Sequence, residues 1–65
     1  MRAIPTDIYD KEGNLTRIEV STEAGDHIAD FQWDPSDEQT SENRITFRKW
    51  VYTFLEQRKG YEVDK

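Results

Sequence analysis

Sixty-five residues make one domain at most, residues 1–65, and a chain this short is marginal unless it buries a few large side chains or meets a partner. It has no cysteine and a single histidine, which excludes a disulfide framework, a thiolate metal site and a histidine cluster. Its net charge of −5 disfavours direct nucleic-acid binding, because phosphate neutralisation supplies most of that affinity.

The charge is also segregated. Met1 to Asn43 holds eleven acids against three basic residues, whereas Arg44 to Lys65 holds three acids against six basic residues. No apolar run approaches the length of a membrane span, and "MRAIPTDIYD" turns polar within a few residues. The expectation is a cytoplasmic protein with no signal peptide and no membrane association. Three Phe, two Trp and three Tyr supply the large apolar surfaces.

In "AIPTDIYD", Ile4, Thr6 and Ile8 alternate with Pro5 and Asp7, the period of a half-buried strand. Pro5 has no N–H for a ladder, which places this strand at an edge or starts it late. "DKEGN", Asp10 to Asn14, is a turn, with Gly13 suited to positive φ. "NLTRIEVST" is a second strand, with Thr16, Ile18, Val20 and Thr22 on one face and Leu15, Arg17, Glu19 and Ser21 on the other. "EAGD" turns the chain again. "HIADFQW" then sets His27, Ala29, Phe31 and Trp33 opposite Ile28, Asp30 and Gln32. Three strands joined by short turns predict an antiparallel meander.

Asp34-Pro35 ends the third strand. "SENRITFRKWVYTFLEQRKG" reads as one helix: Thr40 or Ser41 can cap it, Glu42 suits the positive end of its dipole, Arg58 and Lys59 suit the other end, and Gly60 stops it. Of the two caps, Ser41 is the one assigned. At about 100° per residue, Phe47, Trp50, Val51, Phe54 and Leu55 share one sector and should cover the sheet. Ile45 and Tyr52 fall nearly opposite, beside Lys49. "YEV" after Gly60 alternates and can add a short strand. The expected fold is α+β: a three-stranded antiparallel meander followed by one C-terminal helix packed across it. Its expected core is Ile4, Ile8, Ile18, Val20, Ala29, Phe31, Trp33, Phe47, Trp50, Val51, Phe54 and Leu55.

No catalytic set, cofactor motif or metal-ligand spacing is present. "KEG" is no phosphate loop, and "DPSDE" lacks the spacing of a calcium loop. His27 stands beside a turn and suits a strand end better than a catalytic base. The chain is therefore expected not to be an enzyme. Small sheet-plus-helix modules do enter the DNA major groove, but their sheets carry Lys and Arg. This sheet carries Asp7, Glu19, Asp30 and other acids, so a nucleic-acid-binding module using the basic helix is the alternative reading. The better fit is the inverse: carboxylates on a rigid surface that occupy a basic surface of another protein, in the manner of nucleic-acid phosphates. The expected partner-binding residues are Glu19, Asp30, Asp34, Asp37 and Glu38 for charge, and Ile45, Lys49 and Tyr52 on the outer helix face. That face would also serve a homodimer, a further alternative.

The compact "DIYDKEGNLTRIEV" and the aromatic "FRKWVYTFLEQRKGYEV" carry a resemblance. In size, acidity and the Gly-aromatic-Glu-Val ending, Gly60 to Val63, the chain resembles small acidic proteins that bacteriophages and other mobile elements encode to bind host machinery, among them a phage inhibitor of RNA polymerase. It departs from that inhibitor in having three strand candidates before its helix. The resemblance implies a protein-binding inhibitor or adaptor and leaves its target unspecified.

Overall fold

The computed structural model describes residues 1–63. Strands β1 (Arg2–Tyr9), β2 (Leu15–Thr22) and β3 (His27–Gln32) form the antiparallel meander, and helix α1 (Ser41–Thr53) follows it. A short strand β4 (Glu62–Val63) then pairs parallel to the start of β1, giving the sheet order β3-β2-β1-β4. The chain thus leaves one edge of the sheet at β3 and returns at the other, and α1 crosses one face between them. The fold is α+β, as expected, with the "YEV" strand in place.

Register decides which side chains reach the helix. Ile18 and Val20, both fully buried, face α1, and opposite them on β1 stand Asp7 and Pro5. Residues directly opposite in an antiparallel pair share a face. The helix-facing side of β1 is therefore Ala3, Pro5 and Asp7. Ile4 and Ile8, expected in the core, pair with Ser21 and Arg17 and lie half-buried on the helix-free face. Ala3 takes the buried place instead, under Val63 and Leu55 in the cluster completed by Ile18, Val20 and Val51.

Two bulges correct the strand faces further. Between Ile8↔Arg17 and Tyr9↔Leu15, Thr16 is the extra residue, and its hydroxyl donates to the Ile8 carbonyl at 3.0 Å. A bulge shifts the side-chain alternation by one position. Leu15 accordingly leaves the face of Arg17 and Glu19, where alternation puts it, and is buried. On β3, Ile28 is the extra residue between Ala29 and His27, so Ile28 and Ala29 both pack against the core and His27 joins the face of Asp30.

The helix buries Val51 and Leu55 fully and presses Phe47 on Trp33, edge to face at 5.3 Å. Trp50, expected in the core, is 56% exposed. It lies on the flank of α1 above β3, where the sheet ends, in ring contact with Phe31 of β3 (5.5 Å) and with Phe54 of the last helical turn (6.1 Å). On the other flank Arg48 holds β1. Its guanidinium donates to the Asp7 carboxylate and to the Tyr9 hydroxyl, and that hydroxyl donates to Asp7 in turn. An acid on the helix-facing side of β1 is accounted for by this pairing. The Asp7 carboxylate in turn raises the Arg48 pKa, first through the direct hydrogen bond.

Both helix ends differ in detail from expectation. Thr40, not Ser41, is the N-cap: its extended backbone lets the hydroxyl accept from the Asn43 N–H at 3.1 Å. Thr40→Ala should therefore lower stability by about 1 kcal/mol, and Ser41→Ala should leave it nearly unchanged. A urea titration of the two variants checks this. At the C-terminal end the last turn, Phe54–Arg58, is π-wound. Gly60 at φ +71° reverses the chain, and the Tyr61 N–H reaches the Leu55 carbonyl at 3.0 Å. That closure is one residue longer than an ordinary Schellman motif, as the wider turn requires.

Candidate functional site

The end of the sheet where α1 begins is built from two acidic segments, and each is locked by its own hydrogen bonds. In the β1–β2 turn the Asp10 carboxylate accepts the N–H groups of Glu12 and Asn14, both at 2.9 Å. Chiefly the Asn14 N–H, then that of Glu12, holds the Asp10 carboxyl below the usual carboxylate range. Between β3 and α1 the Asp34 carboxylate accepts from the Ser36 N–H (3.0 Å) and hydroxyl (2.8 Å), and these bonds lower its pKa. Both carboxylates stay charged to lower pH than an ordinary aspartate, and the contribution of these bonds weakens as pH falls through the lowered values.

The segment from Asp34 to Thr40 is thus more than a solvated connector. The Trp33 indole N–H donates to the Asp37 carbonyl at 3.2 Å, and the Asn43 side chain donates to the Glu38 carbonyl at 2.9 Å. Gln39 ties the segment to the sheet. Its amide oxygen accepts the Leu15 N–H (2.9 Å) while its amide nitrogen donates to the Leu15 carbonyl (2.8 Å). One side-chain amide therefore makes the pair of bonds that a neighbouring strand residue would make. The same oxygen accepts from Arg44 at 3.1 Å, which fixes the first turn of α1 to the clamp.

Between these segments lies an open groove of about 360 Å³. Leu15, Trp33 and Pro35 give it an apolar floor, and Asp10, Asn14, Asp37 and Gln39 give it a polar rim. The two acids on that rim come from different segments of the chain. Such a surface accepts a side chain with an aliphatic stem and a cationic head: the stem lies on the floor and the head meets carboxylates.

The expected partner-binding residues fall in three places. Asp34, Asp37 and Glu38 lie on the segment that walls the groove, all exposed. Glu19 and Asp30 are cross-strand neighbours on the helix-free face, with Arg17 reaching both, at 3.1 Å and 3.7 Å. Ile45 and Lys49 are exposed on α1, and Tyr52 is half-buried there. Asp10 and Asn14 were not among the expected site residues. They read as turn formers, and only the packing of the 34–40 segment brings them to the groove. Among the described residues no group of three or more His, Asp or Glu is arranged to hold a metal ion, and no helix is long and apolar enough to cross a membrane. The chain matches no family model, and no curated protein or solved structure is significantly similar to it.

Proposed function

We propose that this protein is a non-enzymatic, cytoplasmic protein-binding module, an inhibitor or adaptor of the phage-encoded kind, that engages a basic surface of a host protein. The observation that supports this reading is the groove: Asp10 and Asp37, from separate segments, flank an apolar floor of Leu15, Trp33 and Pro35. Glu38 and Asp34 extend the same charge along the 34–40 segment. Because that segment is held by hydrogen bonds, little ordering entropy is lost when a partner docks. The alternative of nucleic-acid binding through the helix loses two of its cations to internal roles, since Arg44 binds Gln39 and Arg48 binds Asp7.

The test begins with a pull-down from host lysate and continues with binding kinetics. Asp37→Lys combined with Glu38→Lys should slow association with the captured protein several-fold, since charge at an interface rim acts mostly on the on-rate. The fold should survive, because exposed charge changes usually stay within about 0.5 kcal/mol. A double variant that binds as fast and as tightly as the wild type removes the groove from the proposal.

A further inference from the structure

The outer edge of β3 has a hydrogen-bonding pattern that can be read from the inner one. The Trp33 N–H donates to the Thr16 carbonyl at 2.9 Å, so the position Thr16/Trp33 is a hydrogen-bonded pair. Antiparallel ladders alternate such pairs with non-bonded ones. Phe31 and Ala29 therefore turn their peptide groups inward, to Ile18 and Val20, and Asp30 and Gln32 turn theirs outward. β3 is the last strand on its side of the sheet, so no strand among the described residues meets the peptide groups of Asp30 and Gln32. From Ala29 to Gln32 the edge carries no lysine and no proline; its one charge is Asp30, and the bulge at Ile28 limits its length. Directly above it stands Trp50, 56% exposed and in edge-to-face contact with Phe31.

We propose that β3 pairs antiparallel with β3 of a second copy of this chain, about a two-fold axis at Phe31. The occupant follows from self-complementarity. A two-fold axis perpendicular to the sheet keeps both helices on one side, so each residue must face one from the same side of its own strand. Within Ala29–Gln32 that leaves two registers, centred on Asp30 or on Phe31. The first sets Asp30 against Asp30, with like charges directly opposed, which is destabilising. The second sets Asp30 opposite Gln32, twice. Their outward peptide groups form two hydrogen-bonded pairs, and on the helix-free face the Gln32 amide donates to the Asp30 carboxylate of the other copy. Phe31 then meets Phe31 at the closer, non-bonded position, and the two Trp50 side chains approach over the axis and cover each other. The bulge at Ile28 and the end of β3 at Gln32 bound the regular edge, so the mutual pairing spans Asp30, Phe31 and Gln32 of each copy. The contact is therefore short and the dimer dissociates on dilution. It is independent of the groove, which lies around the β1–β2 turn and the 34–40 segment.

Sedimentation of the full chain over a concentration series tests this. The wild type should shift from monomer to dimer as concentration rises. Gln32→Pro removes an N–H that the ladder phase turns away from β2 and that no strand among the described residues meets, and proline is tolerated on an edge strand. It should abolish the dimer while circular dichroism and melting stay near wild type. Trp50→Lys, at an exposed site, should also give a folded monomer and serves as the second variant if Gln32→Pro fails to fold. A nitroxide on Gln32→Cys, the only thiol in the chain, should show dipolar broadening that excess unlabelled protein removes. A wild type that stays monomeric at every concentration overturns the proposal. So does a dimer that survives Trp50→Lys but dissociates in Tyr52→Glu, which would place the contact on the opposite flank of α1. A β3 edge that pairs only with a foreign chain overturns it as well.

Discussion

Leu55→Ala should bring the protein close to unfolding at room temperature. Leu55 is 1% exposed and packs with Val51, Ala3, Ile18 and Val20 in the centre of the core. Truncating a buried leucine costs about 2–5 kcal/mol, through lost transfer free energy and the cavity left behind. A domain of this size has roughly 3–10 kcal/mol in total, at about 0.05–0.15 kcal/mol per residue. The melting temperature should fall by about 8–40 °C, at roughly 4–8 °C per kcal/mol for so short a chain. Trp50→Ala is the informative comparison. Trp50 is much the larger residue, but it rests on the rim over β3, and its loss should cost less than half as much. Thermal melts of the two variants side by side check both the core and the seating of the helix. Equal losses would mean that α1 is rotated towards its Trp50 flank.

Gln39→Ala should be nearly as damaging, although Gln39 is polar and half-buried. Its side chain is the partner of both the N–H and the carbonyl of Leu15, at 2.9 Å and 2.8 Å. Leaving a buried donor or acceptor unsatisfied costs about 1–3 kcal/mol, so two such groups would cost about 2–6 kcal/mol if they stayed dry; both bonds are part-buried beside an open groove, which places the expected loss toward the lower end. Gln39→Glu sharpens the test. The carboxylate can still accept from Leu15 and Arg44, but it has nothing to donate and lies against the Leu15 carbonyl oxygen. It should be destabilised too, and a mere loss of side-chain volume would not predict that. Chemical denaturation gives the magnitude, and faster exchange of the Leu15 amide locates it. Partner binding should weaken in both variants, because Gln39 holds the wall of the groove.

The element types were legible in the sequence because each rests on a periodic pattern: alternation in "NLTRIEVST", an apolar helical sector through Phe47, Val51 and Leu55, and turn chemistry at Gly13 and Gly25. The faces were less legible. Ile4 and Ile8 alternate as a buried set should, but alternation fixes only that residues share a face. Which face meets the helix was settled by Ile18 and Val20 across the ladder. The bulges at Thr16 and Ile28 leave no periodic mark, since one extra residue is visible only against its partner strand. Trp50 lies in the apolar sector of the helix and is exposed because the sheet is too narrow to extend beneath it. Of the groove, the acids of the 34–40 segment stood out by composition. Asp10 and the Gln39 clamp did not, because their roles arise from contacts between distant segments.

The parallel pairing of β4 with β1 bears on how the molecule breathes. Arg2↔Glu62 and Ala3↔Val63 join positions sixty residues apart through two residue pairs and a bond from the Glu62 N–H to the Met1 carbonyl at 3.0 Å. Closing so long a loop through a two-residue ladder, with Tyr61 and Val63 packed on the core at the chain's end, makes β4 a late event in folding and an early one in local opening. β4 covers the outer margin of β1 only at Arg2 and Ala3, and when it peels away that edge is open along its whole length, a template on which other chains could nucleate aggregates. The ladder phase that turns Phe31 inward on β3 turns Pro5 outward on β1. An incoming strand therefore finds a missing donor and a ring at the centre of that margin. Pro5 acts as a gatekeeper during the moments when the latch is undone, and Pro5→Val should raise the rate of aggregation more than it changes the melting temperature.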